Sequence, residues 1–124
     1  MPGREHLQTG QWAEAESEKF LLANGLKFLA RNFRCRRGEI DLIMRDGDIL
    51  VFIEVRYRRS QRFGSGLESI TASKRRRLLA AAGFFLAQGS TDPSDPCRFD
   101  VVSVTRRNYR PEFQWVRNAF TQDG

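Results

Sequence analysis

With 124 residues, 40% of them hydrophobic, the chain can bury a sizeable core and reads as a single domain over residues 1–124. The longest apolar run, Leu78–Ala87, is far short of the roughly 20 residues that span a bilayer, and the opening MPGREHLQTGQ has no apolar signal region, so a cytoplasmic protein without membrane contact is expected. One histidine, His6, and two distant cysteines, Cys35 and Cys97, argue against zinc, Cys-His catalysis and a Ser-His-Asp triad; the thiols are expected to be reduced and partly buried.

Thr9 or Gly10 is the expected cap of a first helix through WAEAESEKFLLAN, which Asn24-Gly25 stops. Helical spacing puts Ala13, Ser17, Phe20, Leu21 and Asn24 on its inward stripe, with Glu14 on the edge of that stripe and able to reach a sheet. A solvated acid gaining roughly 0.3–1 kcal/mol from the helix-start dipole accounts for Glu14 equally well. Leu26–Phe33 alternates as a first strand, and the basic turn RCRRG leads out of it.

The stretch GEIDLIMRDGDILVFIEVRYR, residues 38–58, holds two acids inside runs that read as buried strand. Residues 49–55, ILVFIEV, are apolar on both alternating faces, so a carboxylate at Glu54 costs several kcal/mol unless it is paired or bound to metal. Asp46-Gly47 is a hairpin signal of the type I′ kind. That turn sets Arg45 opposite Asp48, Asp41 opposite Phe52 and Glu39 opposite Glu54. Asp41 and Glu54 then share a face as diagonal neighbours roughly 7–8 Å apart, close enough to converge on one divalent cation.

Between Arg56 and Arg77 stand Arg56, Arg58, Arg59, Arg62, Lys74, Arg75, Arg76 and Arg77 against the single acid Glu68. This segment alone accounts for the whole net charge of +6. So local a cationic patch is the electrostatic footprint of a polyanion, nucleic acid first among them. Residues 57–70 read as a loop, and Ser69 or Thr71 caps a second helix reaching Ala87. Cations at a helix start oppose its dipole, so the cluster Lys74–Arg77 is better explained by phosphate binding than by stability. Residues 98–105 and 113–120 read as fourth and fifth strands, with Asp100 in an ion pair with Arg98 or another nearby arginine. The order helix, three strands, helix, two strands predicts an α/β domain with a mixed sheet of about five strands, the crossover through the second helix setting the fourth strand parallel to an earlier one.

The words NFRCRRGEIDLI, VFIEVRYR, FGSG, ITASKRRRL, CRFDVV and NAF together resemble the bacterial YraN family, related to archaeal Holliday-junction resolvases. Asp41 followed by Glu54-Val55-Arg56 resembles the Asp…Glu-x-Lys signature of restriction-endonuclease-like nucleases, with Arg in the place of Lys. The resemblance implies the core of that superfamily and a nuclease-like protein hydrolysing phosphodiester bonds of structured or branched DNA. It also implies Asp41, Glu54 and Arg56 as catalytic residues, and Mg²⁺ or Mn²⁺ held by Asp41 and Glu54 with Glu14 as an extra ligand. Arg58, Arg59, Arg62 and Lys74–Arg77 are the expected nucleic-acid contacts, and a homodimer is one candidate assembly. Because Arg stays protonated, Arg56 cannot act as a general base, and it leaves open a non-catalytic nucleic-acid-binding module on a nuclease-derived scaffold. An assembly protein that binds RNA or an acidic partner is a third reading, and it leaves Asp41 and Glu54 unexplained.

Overall fold

In a computed structural model, residues 2–59 and 70–121 of the chain are described, with side chains from residue 9 onward. Arg62 therefore lies outside the described residues, as does most of the expected loop.

The elements are α1 (Pro2–Ala23), β1 (Lys27–Cys35), β2 (Gly38–Asp46), β3 (Ile49–Tyr57), α2 (Ala72–Ala87), β4 (Cys97–Arg107) and β5 (Arg110–Phe120). Their order is the expected one. The five strands form one mixed sheet in the order β1-β2-β3-β4-β5, antiparallel throughout except for the parallel pair β3 and β4 that α2 connects. α1 begins seven residues ahead of the expected cap, because a proline is tolerated in a first turn and nothing before Thr9 breaks a helix.

The helices cover opposite faces. On one side Ala13 and Leu21 of α1 pack with Leu42, Met44, Val51, Ile53, Val102 and Val104; on the other, Leu78, Ala81, Ala82 and Phe85 of α2 pack with Ile43, Leu50, Phe52, Phe99 and Val101. That double cover is why residues 49–55 are apolar on both faces. Of the expected α1 stripe, Ala13, Ser17 and Leu21 are buried and Phe20 stacks on Phe113 at 4.2 Å. Asn24 is exposed instead: it lies past the helix end, where its amide donates to the Phe20 carbonyl at 2.8 Å and Gly25 turns the chain at φ +94°. Both cysteines are free, Cys35 half-buried and Cys97 more exposed than expected. Among the described residues no helix is long and apolar enough to cross a membrane.

The β2–β3 register departs from expectation by two residues. Asp46 pairs with Ile49, Arg45 with Leu50 and Leu42 with Ile53, so the two-residue loop is Gly47-Asp48 and not Asp46-Gly47. Gly47 takes φ +60° while Asp48 stays out of the left-handed region, the arrangement of a type II′ turn, which needs glycine first. A shift of two preserves which face each side chain takes. The acids move from diagonal neighbours to opposite each other where the ladder ends, and there the alternation of β2 also breaks, since Ile40 and Ile43 both pack on the α2 side while Leu42 packs on the α1 side.

Candidate functional site

The β2–β3 ladder runs regularly as far as Leu42–Ile53, and one step further the register sets Asp41 across from Glu54. There the Asp41 side chain takes the place of the ladder: its Oδ2 accepts from the Val55 backbone N–H at 2.8 Å. On its other flank, β1 pairs through Arg31–Leu42 and Phe33–Ile40, which brings Asn32 opposite Asp41 with φ +52°. Asparagine tolerates that left-handed backbone better than most residues. Glu14 of α1 reaches both, through side-chain hydrogen bonds with Asp41 and Asn32. Asp41 thus stands between Glu14 and Glu54 as the acid common to both neighbourhoods. Asn32 is the member that sequence reasoning missed, since only the bulged register of β1 brings it there.

The electrostatics are those of acids short of positive charge. Burial, with the Glu14 carboxyl beside it, pushes Asp41 up to about 6 in spite of the Val55 hydrogen bond. Burial and the neighbouring Asp41 push Glu54 up to about 7. Glu14 is also raised, by burial first. Glu54 is only 6% exposed, and the Lys74 Nζ pairs with its Oε1 from the first turns of α2. Thr71 caps that helix, its hydroxyl accepting from the Lys74 N–H at 3.1 Å, which fixes where Lys74 starts toward the strand. Arg56 follows two residues after Glu54, half-buried; burial lowers the pKa of its guanidinium, while Glu54 and Asp41 favour its charged form.

Glu54 forms part of the wall of a cleft of about 610 Å³. One side is the end of β1 with Arg34 and the turn after it with Arg36 and Arg37; the other is the start of α2 with Lys74 and Arg77. Gly38 makes this apposition possible, because a Cβ there would lie 2.2 Å from the Arg77 carbonyl oxygen. The expected basic patch is accordingly divided. Lys74 and Arg77, three residues apart on α2, face the cleft, whereas Arg75 and Arg76 do not line it, nor do Arg58 and Arg59 just after β3. In their place the end of β1 and the turn after it supply Arg34, Arg36 and Arg37, which the charge count from Arg56 to Arg77 passes over.

Of the expected metal ligands, Asp41 and Glu54 are brought together and Glu14 touches Asp41. Among the described residues, however, no three side chains converge as a ready-made metal cage. The donor set still suits a hard divalent cation: carboxylate oxygens only, desolvated and mutually repelling.

An α/β sandwich with a mixed sheet, carrying adjoining acids where an antiparallel ladder gives way beside a parallel pair of strands, is the class that these observations define. Residues 13–104 match the model of the uncharacterised protein family UPF0102, the family to which the motifs point, and the chain belongs to it. Relatives extend over nearly the whole chain. It is 46% identical over 120 residues to a UPF0102 protein of Pseudomonas fluorescens (strain Pf0-1), covering 97% of this chain and 98% of the relative. It is 48% identical over 115 residues to one from Nitrosococcus oceani, covering 93% of each, and 48% identical over 116 residues to one from Hahella chejuensis (strain KCTC 2396), covering 93% of this chain and 91% of that one.

Proposed function

We propose that the protein is a divalent-metal-dependent nuclease acting on structured or branched DNA. The observation that carries this reading is the pair Asp41 and Glu54, two desolvated carboxylates side by side with raised pKa values, next to a cleft walled by cations. Adjoining acids held partly out of water at a cost in stability are what a site for a ligand of opposite charge requires. Asp41 and Glu54 would hold Mg²⁺ or Mn²⁺, with Glu14 in reach through Asp41. Bound there, the cation supplies Lewis-acid stabilisation of charge on a phosphate and activation of a water. Arg56 holds its charge at any working pH and stabilises the phosphate or the incoming nucleophile electrostatically without moving a proton. Lys74, already on Glu54, partly offsets the effect of burial on that carboxylate and is the cation that a bound metal would displace.

The Lys74–Glu54 ion pair also favours a second reading, a nucleic-acid-binding scaffold in which Glu54 is structural. Incubation with branched and linear DNA under Mg²⁺, Mn²⁺ or chelator separates the two. Metal-dependent nicking of branched substrates, lost in Asp41→Asn and Glu54→Gln while DNA binding persists, supports the nuclease. Binding without cleavage in every metal leaves the scaffold.

A further inference from the structure

We infer that the cleft between the β1–β2 turn and α2 grips the backbone of an unpaired nucleic-acid strand, with Phe84 as a stacking platform for one of its bases. This rests on the nucleic-acid reading above and not on its catalytic half. Five cationic side chains line the cleft against the two acids Glu39 and Glu54. Lys74 is committed to Glu54, and Arg34 lies 3.3 Å from Glu39. Arg36, Arg37 and Arg77 are exposed, and none of the three pairs with a carboxylate among the described residues. Two opposed walls thus present cations that nothing in the described fold neutralises.

Size and rigidity favour one strand over two. A volume of about 610 Å³ lies in the range of small-ligand pockets and admits roughly one or two nucleotides. The walls cannot spread to take a duplex without parting at Gly38, where the turn meets the backbone of Arg77.

A second, independent feature lies on the same helix stripe. Phe84 is seven residues beyond Arg77, two turns or about 10 Å along α2, and is 53% exposed. Its ring is held in a tilted contact with Phe33 of β1 at 6.2 Å, so it is positioned rather than loose. A basic groove leading to a fixed, exposed aromatic ring is the pairing by which proteins hold single strands, phosphates on the cations and a base on the ring.

Fluorescence anisotropy with a labelled single-stranded oligothymidine and an equal-length duplex, both in chelator, tests this without any cleavage. Wild type is expected to prefer the single strand. Arg36→Ala/Arg37→Ala and Arg77→Ala should weaken it and lower the log–log salt slope by about 0.7 for each phosphate no longer neutralised. Phe84→Ala should weaken single-strand binding roughly tenfold with the salt slope unchanged, since stacking carries no counterion release. Arg75→Ala/Arg76→Ala, off the cleft, should leave both within about twofold, and melting of each variant excludes loss of fold. Equal or tighter duplex binding that depends on Arg75 and Arg76, or binding indifferent to the turn arginines and Phe84, overturns the inference, as does failure of the single strand to bind. Single-strand binding that follows these expectations, in a protein that cleaves nothing, sustains the cleft and overturns the catalytic reading alone.

Discussion

Two acids of this sheet are treated in opposite ways. Asp100 on β4 is 1% exposed and well supplied with donors: Arg98 Nε at 3.0 and 3.2 Å, Trp115 Nε1 at 2.9 Å and the Asn118 backbone N–H at 2.9 Å. Arg98 in turn reaches Asp46 at 2.8 Å, tying β4 to the end of β2. Half-buried Asp41, by contrast, accepts a backbone hydrogen bond from Val55 and, among the described residues, has the carboxyls of Glu14 and Glu54 as its near acidic neighbours, with Lys74 as a partial offset. A buried acid that the fold has satisfied is part of the scaffold; buried acids held against one another mark a place where the fold expects something else.

The contrast can be broken most forcefully at Asp100. Asp100→Asn leaves half-buried Arg98 with Asp46 alone and weakens the charge-assisted bonds from Arg98, Trp115 and Asn118, so it should destabilise by about 1–3 kcal/mol in chemical denaturation, with no change in response to metal. If Asp100→Asn were harmless, satisfaction would not separate the two kinds of acid.

The acids of the site should instead make the protein more stable as pH falls. Their folded pKa values, about 6 for Asp41 and about 7 for Glu54, lie above those of the unfolded chain, so the native state holds protons that the unfolded state releases. That stability is fully present below about pH 4 and is lost as pH rises through 6 and 7, a change of about 1–3 kcal/mol from pH 5 to pH 8 in chelator. The double variant Asp41→Asn/Glu54→Gln should flatten that slope, which urea titrations across pH will show.

Gly38→Ala tests the joint between turn and helix. A methyl 2.2 Å from the Arg77 carbonyl oxygen must shift backbone, costing about 1–3 kcal/mol by overpacking. Because the cleft walls meet there, nucleic-acid affinity should fall with stability; affinity unchanged at a lowered melting point would detach binding from the cleft.

The smallest effect on the fold is expected at Arg56. If cleavage occurs, Arg56→Lys should retain or raise it, and Arg56→Ala should lower turnover by more than it lowers binding. Equal losses in single-turnover rate and in affinity would make Arg56 a binding residue.

Much of this architecture was legible because it follows from patterning: the doubly covered run at residues 49–55, the crossover through α2 that makes β3 and β4 parallel, and the Arg98–Asp100 pair. The β2–β3 register was less so, since DGD offers glycine to either of two turns and the type II′ choice is decided by pairing along the whole hairpin. The acids stayed neighbours because the shift was even and small. The β4–β5 turn carried no glycine signal, and Asn108 and Tyr109 take φ +51° and +64° there regardless. The cleft was not legible at all. It depends on a turn after β1 meeting a helix more than thirty residues later, and the one local trace of that meeting is Gly38. Charge counted along the chain therefore credited Arg75 and Arg76, which the helical turn directs away, and passed over Arg36 and Arg37.

The central claim, that Asp41 and Glu54 are held apart from the scaffold for a cation, is tested most directly by melting wild type, Asp41→Asn and Glu54→Gln at pH 8 with Mg²⁺, with Mn²⁺ and with chelator. The account predicts that metal stabilises wild type by about 2–3 kcal/mol at a hundredfold excess over Kd. Both variants should then be at least as stable as wild type in chelator and deaf to metal, because an amide relieves the repulsion without changing shape. A wild-type melting point indifferent to millimolar metal, with both variants destabilised, would contradict it and make Glu54 the buried half of a structural ion pair with Lys74.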